Sequence, residues 1–91
     1  MGYNICMAVE FTRSASKHGI SQEDAIYAIA NAEGSAPIKG RDGNKDATVF
    51  VGHPHAQTDR YIEVIVEITP PRNLKIFHVM ELTDKFRHLI R

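Results

Sequence analysis

Alternation of apolar and polar positions predicts a β-strand over residues 60–68. From position 62 onward the even-numbered residues are all apolar, whereas the odd-numbered positions hold Tyr61, Glu63, Ile65 and Glu67. Because successive side chains of a strand point to opposite faces of the sheet, this pattern buries one face and leaves the other half polar. The β-rich run 47–51 and residues 74–80 predict two further strands. In residues 74–80 one face would carry Ile76, His78 and Met80, and the other Lys75, Phe77 and Val79.

Helical signals lie on both sides of these strands. Residues 21–24 resemble a capping box, and the apolar positions after them share one helix face, which predicts a helix over residues 22–33. Thr12 is a suitable N-cap for a shorter helix through His18, and Gly19 follows where a left-handed backbone is free of strain. An amphipathic helix is predicted at the C-terminal end, with its apolar face formed by Leu82, Phe86, Leu89 and Ile90.

Turn-forming residues separate these elements. Residues 35–46 predict turn and loop, with Asp42-Gly43 as a hairpin dipeptide and Ile38 as the mark of a short edge strand. Residues 69–73 turn the chain again before the last strand. Residues 5–11 predict either a short strand or an extended lead-in.

The order of the predicted elements is helix, helix, three or four antiparallel strands, helix. This order predicts a single α+β domain of two layers over residues 1–91, a length that can bury one core. Helices near the two chain ends can cover only one face of so small a sheet. The other face is therefore a candidate groove.

Composition and hydropathy favour a folded, cytoplasmic protein. Apolar residues make up 43% of the 91 positions and charged residues 24%, values typical of globular domains. The apolar runs fall far short of the roughly 20 residues that span a bilayer, and no signal-like stretch begins the chain. Cys6 is the only cysteine, so neither an intrachain disulfide nor a cysteine zinc site is expected.

The charge balance bears on any nucleic-acid function. Eleven lysines and arginines equal eleven aspartates and glutamates, and each half of the chain is balanced as well. Nucleic-acid-binding proteins normally carry a basic excess or a basic stripe. A cationic site in this chain must therefore come from the placement of its charges, to which five histidines can add when they are protonated.

Several short motifs follow one another in an order that is similar to that of a known toxin family. Residues 17–21 are Lys-His-Gly-Ile-Ser, and Glu-Asp-Ala follows at 23–25. An apolar run ends in Gly52, and His-Val-Met at 78–80 precedes Lys-Phe-Arg at 85–87. Spread over roughly residues 8 to 90, these motifs resemble the BrnT-type toxins, small bacterial endoribonucleases of type II toxin–antitoxin systems with a RelE-like fold.

The resemblance implies a toxin that cleaves RNA without a metal ion or other cofactor. A cognate antitoxin would neutralise it, and the RNA substrate would be either free or on the ribosome. Exposed sheet edges in so small a chain also favour a homodimer. No membrane partner is expected.

Metal-independent RNA cleavage needs a base for the ribose 2′-OH, an acid for the leaving 5′-oxygen and cations for the phosphate. His78 is the first candidate for the acid or the base, with Glu81 to orient it or to act as the base itself. Arg87 and Arg60 are candidate catalytic cations that would also bind phosphate. Lys85 is a further candidate phosphate ligand.

These residues also have structural interpretations. His18, which the Lys-His-Gly motif of the family adds to the catalytic set, suits the negative end of a helix dipole. His78 is also explained as a half-buried strand histidine bonded to a neighbouring carboxylate. Glu81 would favour the positive end of the helix after it, and Arg60 would form an ion pair with Glu63.

A second class of function is a non-catalytic binding or oligomerisation domain of the same fold. The zero net charge favours it, as does the sequence of residues 80–83, where better-known family members carry an Arg-rich run. The half-polar sheet face of residues 61–67 would then dock a partner. No metal site is predicted, because His53-x-His55 supplies only two ligands.

Overall fold

A five-stranded mixed β-sheet forms the frame of the chain in the computed structural model, which describes residues 8–39, 46–69 and 73–90. The strands are β1 (Ala8–Phe11), β2 (Gly34–Lys39), β3 (Asp46–Gly52), β4 (Ile62–Thr69) and β5 (Asn73–Glu81). They lie in the order β1-β5-β4-β3-β2. β1 runs parallel to β5, whereas the other three neighbouring pairs are antiparallel.

The α-helix of the described residues, α1 (Gln22–Ala30), begins where the capping signal predicts it. The Ser21 side chain accepts a hydrogen bond from the backbone N–H of Asp24 at 3.1 Å. The helix ends at Ala30 rather than at residue 33, because Asn31 leaves the helical conformation with φ −119° and ψ 32°. Its side-chain amide donates to the Tyr27 carbonyl oxygen at 3.1 Å and caps the last turn.

The other two helical segments are shorter and tighter than predicted. The first is a 3-10 helix, Ala15–His18, whose start is capped by the Thr12 hydroxyl oxygen, 3.2 Å from the Ala15 backbone nitrogen. Gly19 ends it in the left-handed conformation, at φ 75°, as its position predicts. The second is a six-residue 3-10 helix, Asp84–Leu89, in place of the predicted C-terminal amphipathic helix.

Apolar side chains pack on both faces of the sheet. On one face α1 and the first 3-10 helix contribute Ala15, Ala25 and Ala28 to a core with Ile62, Val64, Val66, Ile76 and Val79, all without solvent exposure. On the other face the C-terminal 3-10 helix buries Phe86 against Val49 and Val51. The second face is therefore partly covered, and the prediction that it forms an open groove is wrong over this region.

The predicted α+β class is confirmed, but the predicted strand count and order are not. The sheet has five strands and is mixed, because the N-terminal segment pairs in parallel with β5 and residues 34–39 form a full edge strand beside β3. The sequence leaves residues 5–11 open between a short strand and an extended lead-in, because a four-residue strand carries little periodicity and its partner lies at the other end of the chain. The predicted Asp42-Gly43 turn and residues 5–7 lie outside the described residues.

A β-bulge in β5 changes which side chains share a face. Ile65 of β4 lies opposite His78, but the next residue, Val66, lies opposite Ile76, so Phe77 is the extra residue of the bulged strand. Ile76 and Val79 are consequently both fully buried on the α1 side. The prediction that Ile76 and His78 share one face, with Phe77 and Val79 on the other, is wrong because it assumes uninterrupted alternation.

We expect Gly34→Ala to destabilise the fold, because the start of β2 lies directly against the C-terminal segment. A β-carbon at Gly34 would overlap the Leu89 carbonyl oxygen and lie 2.8 Å from the carbonyl carbon. Backbone atoms cannot move aside cheaply, so the cost should be about 1–3 kcal/mol, as for other overpacked sites. Urea denaturation measures it, with the exposed neighbour Ser35→Ala as the control. Equal stability of the two variants would contradict this close approach.

Candidate active site

An open pocket of about 290 Å³ lies where the first 3-10 helix, the bulge of β5 and the C-terminal 3-10 helix approach one another. Two lysines, two histidines, a serine and three apolar side chains line it: Ser14, Lys17, His18, Ile38, Ile65, Phe77, His78 and Lys85. Three of the six residues predicted for the site, His18, His78 and Lys85, are thus brought together. Lys17 joins them, although the sequence marked it only as part of a motif.

Local backbone geometry explains how two histidines from distant parts of the chain meet. β1 ends at Phe11, and the backbone N–H of Thr12 still donates to the Ile76 carbonyl oxygen at 3.0 Å. The first 3-10 helix therefore lies beside the later half of β5. His78 lies in this half of β5, directly after the bulge, and the His18 and His78 ring centroids are 6.4 Å apart with the planes at 71°.

Behind His78 lies a buried carboxylate that holds it in place. Glu63 is only 2% exposed, and its Oε2 is 2.8 Å from His78 Nε2. Its Oε1 accepts hydrogen bonds from the Thr83 backbone N–H at 2.8 Å and from the Thr83 hydroxyl at 2.6 Å. Both carboxylate oxygens are therefore used, as a buried charged group requires.

Sequence reasoning missed Glu63 as a site residue and considered it as a partner for Arg60 and as part of a sheet face that docks a partner. The available signal was a glutamate on the strand next to the histidine strand, on the half-polar face. The bulge in β5 brings His78 onto that same face, and no local feature of residues 74–80 predicts this bulge. The structural interpretation of His78, a half-buried histidine bonded to a carboxylate, describes its observed contact.

The pocket is cationic although the chain as a whole is neutral. Lys17 and Lys85 line it together with the two histidines, and none of the described residues that line it is acidic. The Lys85 ammonium group lies 5.4 Å from the centroid of the Phe86 ring, a cation–π distance that holds it at the rim. Placement of charges, rather than their sum, therefore gives this surface the positive field that attracts an anion.

The remaining three predicted site residues do not line the pocket. The Arg60 guanidinium binds Glu81, with Nε 3.0 Å from Oε2, and this hydrogen-bonded carboxylate raises the pKa of Arg60 above its ordinary value. Arg87 is bound to Asp84 one turn earlier on the same 3-10 helix, at 3.1 Å. The prediction that Glu81 orients His78 is wrong, since Glu63 does so, and the expected pairing of Arg60 with Glu63 is replaced by the pairing with Glu81.

This arrangement can carry out acid–base chemistry on an anion. Two imidazoles on different elements can reach opposite sides of one small group, and one ring can accept a proton while the other donates one. The lysine ammonium groups can bind negatively charged oxygens between them. Phe77 adds an aromatic surface beside the histidines, on which a flat ring can stack.

A polar cluster around a third histidine, His53, lies at the end of the sheet where β2 and β4 begin. His53 Nδ1 is 2.6 Å from the Arg60 carbonyl oxygen, and Nε2 is 3.3 Å from Glu33 Oε2. The Tyr61 ring stacks on His53 at 4.2 Å, and its hydroxyl donates to Glu33 Oε1 at 2.8 Å. These contacts fasten the loop of residues 53–61 to the segment between α1 and β2. Among the described residues no three potential metal-ligating side chains are grouped together.

Tyr61 should ionise at a higher pH than an ordinary tyrosine, because the hydrogen bond from its hydroxyl to Glu33 raises its pKa above the ordinary value of 10.0. The folded-state pKa exceeds that of the unfolded chain, so this contact stabilises the fold fully below pH 10 and is lost as the pH rises through the folded pKa. Absorbance titration of tyrosinate, compared with Tyr61→Phe, isolates this residue. Glu33→Gln should shift its titration to lower pH. An unchanged titration in Glu33→Gln would show that the carboxylate has no influence.

Comparison of the chain with protein families, with curated proteins and with solved structures finds no match. No helix in the described part of the chain has the length and apolar character needed to cross a bilayer.

Proposed function

We propose that this protein is the toxin of a type II toxin–antitoxin system, a metal-independent endoribonuclease that acts on cytoplasmic RNA. The observation that supports the proposal is the pair of histidines, His18 and His78, that line one lysine-rich pocket with a buried glutamate behind one of them. The motifs that resemble those of BrnT-type toxins include three of these pocket residues, Lys17, His18 and His78.

RNA cleavage by this pocket requires no group beyond those it contains. One imidazole removes the proton of a ribose 2′-OH, and the 2′-oxygen attacks the adjacent phosphorus. The bond from phosphorus to the 5′-oxygen breaks, and the second imidazole, in its protonated form, donates the proton that the leaving oxygen needs. The products are a 2′,3′-cyclic phosphate and a free 5′-hydroxyl. Lys17 and Lys85 stabilise the extra negative charge on the phosphorane.

The size and lining of the pocket favour a single-stranded substrate. A volume of about 290 Å³ lies at the low end for ligand sites, which suits one phosphodiester and its neighbouring groups. Phe77, Ile38 and Ile65 offer an apolar surface for an unstacked base. Single-stranded RNA presents such bases, whereas those of a duplex are already stacked.

A cognate antitoxin would neutralise this toxin by covering the same pocket. The lysines and histidines of the pocket make an acidic segment the complementary partner, because it would compete with RNA phosphate for the same cations. Complex formation should then protect Lys17 and Lys85 from amine-modifying reagents. The presence of a small gene for a DNA-binding protein beside the toxin gene would support this pairing.

Induced expression in a bacterial host, with growth and total RNA followed over time, tests the proposal. Growth arrest with loss of RNA is the expected result, and co-expression of the antitoxin should restore growth. Normal growth with abundant, folded protein would contradict it. The extract of the arrested culture should contain RNA fragments that end in cyclic phosphate.

The second candidate function, a non-catalytic binding domain, is favoured by one contact. Glu63 fastens Thr83, and with it the start of the C-terminal 3-10 helix, to the sheet, which is a structural role that needs no chemistry. The face of residues 61–67 that the sequence suggests as a docking surface is unsuitable, because Glu63 is buried and Tyr61 and Ile65 pack against the core cluster that contains Phe86. A binding role would fall to the pocket surface, and normal growth on expression would favour it.

A further inference from the structure

The two ring nitrogens of His78 have different surroundings. Nε2 is 2.8 Å from the Glu63 carboxylate, whereas Nδ1 has no hydrogen-bond partner among the described residues. In a neutral imidazole one nitrogen carries the proton and the other is the base. The group that contacts Nε2 therefore decides what Nδ1 can do.

We propose that Glu63 is a positioning residue that holds neutral His78 with its proton on Nε2, so that Nδ1 is the basic nitrogen presented to the pocket. The catalytic meaning of this assignment rests on the proposed function, in which His78 is then the general base. His18 is left as the acid for the leaving 5′-oxygen. The tautomer itself is a property of the protein alone and can be measured without RNA.

The hydrogen bonds around Glu63 support this assignment. Oε1 already accepts two hydrogen bonds from Thr83, so this oxygen carries no proton. Oε2 can then only accept from His78, because an imidazole is a stronger base than a carboxylate and keeps the shared proton. An Nε2–H group is the donor that this acceptor requires.

The burial of Glu63 disfavours the other tautomer of His78. Glu63 is only 2% exposed, so water cannot supply the hydrogen bond if His78 turns away or changes its tautomer. The Nδ1–H tautomer would place an unprotonated Nε2 against the carboxylate, with two acceptors facing each other at 2.8 Å. The same burial explains how a solvent-accessible imidazole can keep one orientation.

Glu63→Gln is the direct test, because it keeps the shape of the side chain and reverses its hydrogen bonding toward His78. The two Thr83 donors retain the glutamine carbonyl oxygen at the Oε1 position, which places the amide NH₂ against His78 Nε2. Nε2 must then accept, and the proton moves to Nδ1. An equivalent loss of the correct tautomer lowers catalysis by about 10⁴-fold in a serine protease triad, and we expect a loss of roughly 10²–10⁴-fold in RNA cleavage here.

Nitrogen NMR of the imidazole rings, recorded at a pH where His78 is neutral, reads the tautomer. We expect Nε2–H in the wild-type protein and Nδ1–H in Glu63→Gln. Thr83→Val is the matched control, because it removes one donor from the same carboxylate and leaves the Glu63–His78 contact, so Nε2–H should persist. Glu67→Gln, four residues along the same strand, controls for loss of charge alone.

The outcomes separate this inference from the proposed function. Nδ1–H in the wild-type protein would overturn the inference even if the variant failed to fold, and so would Nε2–H in Glu63→Gln. A reversed tautomer with an RNase activity equal to that of the wild type would overturn the positioning role. A reversed tautomer in a protein that never cleaves RNA would support the tautomer assignment and contradict the endoribonuclease.

Discussion

His78→Ala should abolish growth arrest on induced expression and should lower RNA cleavage by the purified protein by roughly 10²–10⁴-fold, as loss of a general acid–base group does. The physical reason is that no other described group of the pocket lies against Glu63 and can take its place as a base. His18→Ala should have a comparable effect. The double variant should be little worse than either single one, because the two imidazoles act in one step.

Two further histidines provide matched controls for this result. His55 and His88 are both exposed, and neither lines the pocket. Alanine at either position removes the same type of side chain from outside the pocket, so growth arrest should be retained. Arrest by the folded His78→Ala variant, or its loss in His55→Ala and His88→Ala as well, would show that the pocket is not the site.

Ile76→Ala should be among the most destabilising substitutions in the protein. Ile76 has no solvent exposure and lies in the larger core, so removal of its side chain should cost about 2–5 kcal/mol. In a domain of this size each kcal/mol lowers Tm by roughly 4–8 °C. Thermal and urea denaturation measure the effect, and the exposed neighbour Lys75→Ala should change little.

Val79→Ala tests the bulge by the same method. Val79 lies three residues after Ile76, an odd spacing that would put the two on opposite faces of a regular strand. Because Phe77 is an extra residue, both are fully buried in one core. Val79→Ala should therefore behave as a core truncation. A stability equal to that of Lys75→Ala would refute the bulged register.

The elements that sequence reasoning located correctly are those with local physical causes. The Ser21 cap and the left-handed Gly19 are fixed by hydrogen bonds and backbone sterics within a few residues, and both were predicted in position. Strand β4 is recognisable from its own sequence, because its apolar positions alternate with partly polar ones and the apolar face is buried in the core. The strand predicted over residues 60–68 begins at Ile62, where the pairing with β3 starts.

The parts that were missed depend on distant residues. For β1 the sequence leaves a strand and an extended lead-in both open, and the parallel pairing with β5, in which Phe11 lies opposite Ile76, decides for the strand. The phase of β5 is set by the register against β4, so a bulge at Phe77 reverses the face of every residue after it. α1 ends three residues earlier than predicted, because the Asn31 side chain caps its last turn.

In the candidate site, too, sequence reasoning found the residues with local signals and missed the contacts between distant residues. His78 and His18 were recognised as chemically suitable residues in motifs, and the fold brings them together. Glu63 could not be assigned as the partner of His78 while the bulge was unknown. Arg60 and Arg87 were chosen as cations, but each is held by a carboxylate whose position only the folded chain reveals, namely Glu81 and Asp84.

The most direct test of the account is incubation of the purified protein, with a chelator present, with a short single-stranded RNA and with its all-2′-deoxy counterpart. We predict cleavage of the RNA alone, with 2′,3′-cyclic phosphate at the new ends, and RNA left intact by His78→Ala. Intact RNA with the folded wild-type protein, or equal cleavage of the 2′-deoxy strand, would contradict attack by a 2′-oxygen in the histidine pocket.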